Sequence, residues 1–279
     1  MPLVKAQFEP GIDKQTTTYG AEGKWIDSKN VRFRTGLPEK IGGWEKVVIG
    51  KTLIGVVRGS HAWVSLTGVR HLALGTDRKL YVYIEGAFFD ITPIRETATL
   101  NGPFTSTGTA IVTVADTSHG ALAGDFVTFS GAAAVGGQDL NNEYEITTIV
   151  DANSYTITHN TNVTAASSGG GSSVATSYQI STGPSISVYG FGWGTDTWSS
   201  GEWGEESTSS SVTLEAAYWS FDTFGEDLLA TRVNGSLYRW DTSVGTGTPA
   251  AKITQAPTAS RSVLVSSPDR HIFLFGTET

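Results

Sequence analysis

The chain has 279 residues, of which 39% are hydrophobic, so it is long enough to bury one large core or two small ones. Only 16% of the residues are charged, and Gly, Ser and Thr take the place of the residues that long helices favour. The net charge of −8 excludes a protein that grips nucleic acid by counterion release, and the absence of cysteine excludes disulfides and thiolate sites. No apolar run reaches the roughly 18 residues of a membrane-spanning helix, so no membrane span is expected.

The N-terminal region contains a short strand pattern. Apolar residues alternate with Arg32 and Arg34 in the run 31–34, which predicts a half-buried strand, and residues 35–38 predict a turn into a second strand. With Lys40, the two arginines make this region basic in an acidic chain. The cations are interpreted either as a solvated strand face or as a contact with an acidic partner surface.

A hairpin pattern recurs at residues 72–83, 229–240 and 264–275. Each copy begins with Leu, places Asp or Asn five residues later and ends in a strand of alternating aliphatic and aromatic residues. The second and third copies are about 35 residues apart, close to the length of one propeller blade. We therefore predict a propeller-like body of antiparallel blades.

Residues 100–175 differ in composition from the rest of the chain, because Thr, Ser, Ala and Gly dominate and Trp is absent. Period-2 alternation predicts four strands in this segment, at 110–114, 125–129, 143–149 and 154–158. We interpret the segment as an inserted small β-barrel or roll, with residues 165–173 as a flexible return linker. The predicted division is 1–99 and 176–279 for the body and 100–175 for the insert.

A Gly-rich stretch at 189–204 carries Trp193, Trp198 and Trp203. Three large aromatic side chains on such a backbone are costly to leave exposed. They are candidate residues of a subunit interface.

Motifs for catalysis and cofactor binding are missing or weak. His119 near Asp116 and Asp125 suggests a catalytic group, but a turn in which the histidine hydrogen-bonds the backbone is favoured. Acidic residues beside the tryptophans suit a sugar cleft, although consecutive acids on a Gly/Ser loop are usually solvated. We expect no enzyme activity, no metal and no cofactor.

Four segments, 8–15, 30–34, 37–44 and 219–230, resemble tail proteins of short-tailed bacteriophages, as does the Trp-Gly stretch. The insert is similar to a small β-module found in phage structural proteins. The resemblance implies a tail nozzle or hub subunit, similar in role to packaged-DNA stabilisation proteins. Because such proteins usually continue well past this length, we expect this chain to be part of a longer one, with a short member of the same family as the alternative.

The resemblance further implies a ring, expected to be a hexamer, in the tail of the virion after assembly in the host cytoplasm. The ring would contact the tail adaptor on the portal side, through Arg32, Arg34 and Lys40, and tail fibre or needle proteins. DNA would pass through its lumen without specific binding, and the ring would retain the packaged genome until ejection. The alternative is a module that recognises a glycan or receptor on the host surface.

Overall fold

The computed structural model describes residues 9–43, 52–162, 166–187 and 215–277 of the protein. In these ranges the chain forms twenty β-strands and one 3₁₀ turn at Thr242–Val244, and no α-helix. No helix long and apolar enough to cross a membrane occurs in the described part of the chain. The predicted all-β class is confirmed. The chain divides into two compact units, Met1–Val48 and Ile49–Thr279.

The first unit contains a two-stranded antiparallel hairpin of β1 (Val31–Arg34) and β2 (Leu37–Lys40). Thr35 and Gly36 form its turn with positive φ angles of 50° and 82°. The two arginines of β1 are exposed and its two apolar residues are half-buried. The predicted strand and turn are therefore confirmed.

The second unit begins with a four-stranded antiparallel sheet in chain order, made of β3 (Val57–Val64), β4 (Arg70–Thr76), β5 (Leu80–Ile84) and β6 (Ala87–Asp90). The Thr76 hydroxyl holds the β4–β5 turn, because it accepts hydrogen bonds from the N–H groups of Arg78 and Lys79 at 3.1 and 2.7 Å. The Asp77 carboxylate accepts from the Val56 N–H at 2.7 Å. This bond fastens the segment before β3 to the turn.

An eight-stranded antiparallel sheet follows, with the strands β7 (Ile94–Leu100), β8 (Phe104–Thr107), β9 (Ile111–Ala115), β10 (Phe126–Ser130), β11 (Glu143–Asp151), β12 (Ser154–Thr158), β13 (Ala166–Gly169) and β14 (Val174–Gln179). Their order is β13-β8-β9-β12-β11-β10-β14-β7. Strands β9 to β12 confirm the four strands predicted in the insert. The chain enters this sheet by β7 and leaves it by β14, and the two strands pair with each other.

The eight-stranded sheet has one hydrophobic core, to which six of its strands contribute alternate residues: Phe104, Val112, Val114, Val127, Phe129, Tyr144, Ile146, Tyr155, Ile157, Val174 and Tyr178. In the described residues β13 and β7 each pair with one strand only, so the sheet is not closed. The structure therefore does not confirm a barrel. The division at residues 100 and 175 stays a prediction.

The prediction of a flexible return linker is wrong for residues 166–171. Strand β13 pairs with β8 over four residues. The Gly170 carbonyl accepts from the Ala133 N–H at 2.8 Å, and the Gly171 carbonyl accepts from the Gly102 N–H at 2.7 Å. The segment is part of the sheet, because its backbone groups find partners that its composition does not reveal.

A second four-stranded meander is made of β15 (Trp219–Phe224), β16 (Asp227–Arg232), β17 (Leu237–Trp240) and β18 (Ala251–Lys252), and a hairpin of β19 (Ser262–Val265) and β20 (Ile272–Phe275) follows it. Strand β15 lies beside β3 on one side and beside β19 on the other. The three recurring hairpins are present as β4–β5, β16–β17 and β19–β20. The first two are the second and third strands of their sheets. In the third hairpin, β19 is the first strand, and it lies against β15 as β15 lies against β3.

The sheets stack through two hydrophobic cores. The larger core lies between the two four-stranded sheets and contains Trp63, Ala73, Leu80, Val82, Ile91, Ile180, Trp219, Leu228, Ala230, Tyr238, Trp240 and Ala250. The smaller core joins the second sheet to the last hairpin through Leu229, Leu237 and Val263. At about 25 cal/mol per Å² of buried apolar surface, these contacts are the main source of stability for the stack.

Candidate functional site

The three cations predicted to contact an adaptor do not form one patch. Directly paired residues of antiparallel strands lie on the same face, and the register pairs Arg32 with Glu39 and Lys40 with Val31. Arg32 and Arg34 therefore share one face of the hairpin and Lys40 lies on the other. The Arg32 Nε donates to Glu39 Oε2 at 3.1 Å, which offsets part of the positive charge. A contact with an adaptor stays a prediction.

The three tryptophans predicted to form a subunit interface, Trp193, Trp198 and Trp203, lie outside the described residues, as do the acidic residues beside them. Three other tryptophans, Trp63, Trp219 and Trp240, lie in the core of the sheet stack.

Trp219 joins the two four-stranded sheets. It packs on a pair of opposed glycines, Gly59 on β3 and Gly75 on β4. A Cβ atom on Gly75 would lie 2.3 Å from the Trp219 ring, and one on Gly59 would lie 2.6 Å from the Trp219 carbonyl oxygen. The Trp219 Nε1 donates to the Thr76 carbonyl at 2.8 Å. We call Gly59, Gly75 and Thr76 the tryptophan socket.

A second tryptophan makes the reciprocal contact. The Trp63 Nε1 on β3 donates to the carbonyl of Glu226, in the turn between β15 and β16, at 3.0 Å. Each sheet thus sends one indole into the other, and each indole N–H finds the partner that burial requires. Neither contact was predicted from the sequence. A glycine inside a strand pattern, as at Gly75, is the signal that marks such a close approach.

Polar side chains make the next contact in the stack. The Ser220 hydroxyl accepts from the Val263 N–H at 3.2 Å, and the Asp222 carboxylate accepts from the Val265 N–H at 2.6 Å. These bonds run from β15 to β19, whose N–H groups on that side have no strand partner among the described residues. They satisfy backbone donors that an edge strand otherwise leaves open.

A buried lysine connects the first sheet to the eight-stranded sheet. Lys79 is only 1% exposed, and its Nζ donates to Asp90 Oδ2 at 2.6 Å and to Glu143 Oε1 at 2.5 Å. The Gln179 Nε2 also donates to Glu143 Oε1, at 2.8 Å. The ammonium lies 4.3 Å from the centroid of the Phe126 ring, within the range of a cation–π contact.

The pKa of Asp90 reflects two opposing effects. Burial raises it, but the charge and hydrogen bond of Lys79 and the hydrogen bonds from Thr92 lower it more, so the pKa lies below the usual 3.8. The lysine is held by carboxylates from both sheets, as a buried charge requires.

Arg78, next to the lysine in the chain, also contacts the eight-stranded sheet. Its Nη2 donates to Glu145 at 2.5 Å and to the Gly124 carbonyl at 3.0 Å. The junction between the two sheets is therefore polar and carries several charge-assisted hydrogen bonds.

His119 is buried, and both of its ring nitrogens bond the backbone. The Ala121 N–H donates to Nδ1 at 3.1 Å, so Nδ1 is the acceptor and Nε2 carries the proton that it donates to the Asp151 carbonyl at 3.1 Å. The predicted turn with a backbone-bonded histidine is confirmed.

The two acids considered with His119 have other partners. Asp116 accepts from the Tyr178 hydroxyl at 2.5 Å, and Tyr178 is bonded to the Tyr155 hydroxyl at 2.8 Å. Burial raises the pKa of both tyrosines. Burial also raises the pKa of Asp125, against the hydrogen bond that it accepts from the Leu122 N–H. These groups form buried structural bonds, and within the described ranges no three His, Asp or Glu side chains are placed to hold a metal ion.

A cleft in the first unit is lined by residues 9–15 and by Lys24. Asp13 accepts hydrogen bonds from the N–H groups of Gln15 and Thr16 and from Lys24 there. The hydrogen bond from Gln15, followed by that from Lys24, lowers the pKa of Asp13. The Asp13 carboxylate therefore stabilises the local turn.

Comparison with known proteins identifies no family for this chain. No protein-family model matches the chain, and no curated protein matches it. Among solved structures the chain is similar to the phage phi92 endosialidase, with 13% sequence identity and a TM-score of 0.28. The match covers 79% of this chain and 32% of that one, so the chain spans about a third of the length of the enzyme it matches. A likeness this weak supports no statement about function.

Proposed function

We propose that the chain is a non-enzymatic structural subunit of a bacteriophage tail, in which the stacked sheets form part of a propeller-like body. The finer proposal is a subunit of a nozzle or hub ring that carries DNA, retains the packaged genome and takes part in its ejection. The resemblance of residues 8–15, 30–34, 37–44 and 219–230 to tail proteins of short-tailed phages supports this proposal.

The observation that carries the proposal is the order of the stack. β3 and β15 are the first strands of the two four-stranded sheets, and β19 is the first strand of the last hairpin. Strand β15 lies beside both β3 and β19. In a propeller the blades are arranged radially around a central channel, so their innermost strands must be neighbours. The two cores between successive sheets fit the same arrangement.

The proposal that the chain is not an enzyme rests on the hydrogen bonds already made by the residues that suggest catalysis. His119 uses both ring nitrogens for backbone bonds, and Asp116 accepts from Tyr178. A general base must keep a nitrogen or oxygen within reach of a substrate proton. These side chains are instead committed to the folded structure.

Electron microscopy of the purified chain with its tail adaptor tests the ring. The expected result is a closed ring, and Trp193, Trp198 and Trp203 are proposed to lie in the contact between subunits. Tryptophan is the residue type most enriched among interface positions that dominate binding energy. Replacing all three with alanine is expected to leave the monomer folded by circular dichroism and to abolish ring formation.

A matched variant, Trp240→Phe, changes a core tryptophan of the stack and is expected to leave assembly intact. Rings formed by the triple variant contradict the proposed interface. Monomers at all concentrations, with and without the adaptor, contradict the ring itself.

DNA should pass the proposed ring without binding. With a net charge of −8 per subunit, a ring repels phosphates, and the field is focused in a narrow channel. The isolated chain is therefore expected to show no affinity for double-stranded DNA at physiological salt in an anisotropy titration. Tight binding that weakens steeply with salt would contradict the repulsive conduit and point to a grip by the basic hairpin.

A further inference from the structure

The chain enters the eight-stranded sheet from the first sheet by β7 and leaves it by β14, and these two strands pair with each other. Just outside them, the Ile180 N–H donates to the Pro93 carbonyl at 3.0 Å. Within the described part of the chain, the first sheet and the eight-stranded sheet share no strand ladder. Side-chain contacts across the junction therefore help to set the orientation of one sheet against the other.

We propose that Lys79, Asp90, Glu143 and Gln179 form a latch that fixes the eight-stranded sheet in one orientation against the first sheet, and that acid opens it. The inference is independent of the proposed function. It rests on the placement of the four residues, which come from both sides of the junction: Lys79 and Asp90 from the β4–β5–β6 region, Glu143 from β11 and Gln179 from β14.

The latch stays closed only while the buried lysine keeps its two carboxylate partners. Lys79 is nearly inaccessible to water, and its ammonium is compensated by one carboxylate from each sheet. Loss of either partner leaves a buried charge with too few partners, which strongly favours exposure of that charge to water. For Lys79, exposure requires that the two sheets separate.

The groups that face the lysine set the pH range. They are Asp90 on β6, Glu143 on β11 and Tyr81 on β5, with the Arg78–Glu145 pair beside them. Burial raises the pKa of Tyr81 to about 12, so this hydroxyl stays neutral in acid. Because the pKa of Asp90 in the folded chain lies below 3.8, its charge favours the closed latch above that pH and the contribution is lost as the pH falls through the lowered pKa.

Distance measurement between two spin labels tests the latch. The chain has no native cysteine, so Arg70→Cys on β4 and Ala152→Cys in the exposed turn after β11 place one label on each sheet. The expected result at neutral pH is one narrow distance distribution. Lys79→Met, which keeps an unbranched side chain and removes the charge, is expected to abolish the narrow distribution. Lys252→Met, at an exposed lysine of β18, is expected to preserve it.

Glu143→Gln repeats the test with a smaller change, since the amide keeps the shape of the side chain. In acid, the protein with all four latch residues unchanged is expected to keep the narrow distribution at about pH 5. The distribution is expected to broaden only as the pH falls below 3.8, through the lowered pKa of Asp90, before tryptophan fluorescence reports unfolding of the stack. A narrow distribution in both variants overturns the latch. Broadening that coincides with global unfolding in acid overturns its opening by acid.

Discussion

Replacing Gly75 with alanine is expected to lower the free energy of unfolding by about 3 kcal/mol, the upper part of the range for overpacked cores. The added Cβ atom would lie 2.3 Å from two atoms of the Trp219 ring and 2.8 Å from its Cβ. The indole cannot move aside easily, because its Nε1 is bonded to the Thr76 carbonyl and its ring lies in the core between the two sheets. The substitution therefore forces the first and second sheets apart.

Urea denaturation followed by tryptophan fluorescence measures this loss. Gly247→Ala is the matched control, because a Cβ atom there meets no atom within 4 Å and the residue does not need a positive φ. A second variant, Gly75→Ala with Trp219→Leu, removes the ring that the methyl group would meet. It is expected to recover part of the stability lost by Gly75→Ala, relative to Trp219→Leu alone. Equal midpoints for Gly75→Ala and Gly247→Ala would contradict the socket.

Local patterns were sufficient for the strands. The four strands predicted between residues 110 and 158 are present, because alternate side chains such as Val112 and Val114 are buried on one face while the residues between them lie towards solvent. The same rule identified the β1–β2 hairpin. Alternation reports burial on one face of a strand, and burial is what the structure enforces.

Contacts between sheets could not be predicted in this way. Lys79 meets Glu143 and Gly75 meets Trp219 across long stretches of chain, and no periodicity in either segment specifies its partner. A buried lysine with two carboxylates is also contrary to the expectation that lysine is exposed. The burial of Lys79 depends on two carboxylates, one from each of the two sheets.

The basic hairpin shows how register decides a site. Arg32, Arg34 and Lys40 are close in sequence, which suggested one positive surface. The pairing of Lys40 with Val31 places it on the face opposite the two arginines. A shift of pairing by one residue would have reversed this result, and composition does not determine register.

The run of small residues at 165–173 gave the clearest error, and it leads to the second large effect. Gly170→Ala is expected to destabilise the eight-stranded sheet by about 3 kcal/mol, from backbone strain of about 1–2 kcal/mol and overpacking of a similar size. Gly170 has φ +116°, and a Cβ atom there would lie 2.5 Å from Cδ2 of Phe104, a fully buried residue of the sheet core.

A neighbouring glycine separates the two causes. Gly171 also has a positive φ, +93°, but a Cβ atom there would meet Ala133 at an ordinary 3.8 Å. Gly171→Ala is therefore expected to show the strain alone and to cost about half as much as Gly170→Ala. Hydrogen exchange of the β8 and β13 amides reports the loss within this sheet, since those strands pair beside Phe104. A flexible linker would leave the β13 amides unprotected in the wild type and in both variants, and that result would remove β13 from the stable part of the sheet. Unchanged protection of β8 and β13 in Gly170→Ala would contradict the predicted clash with Phe104.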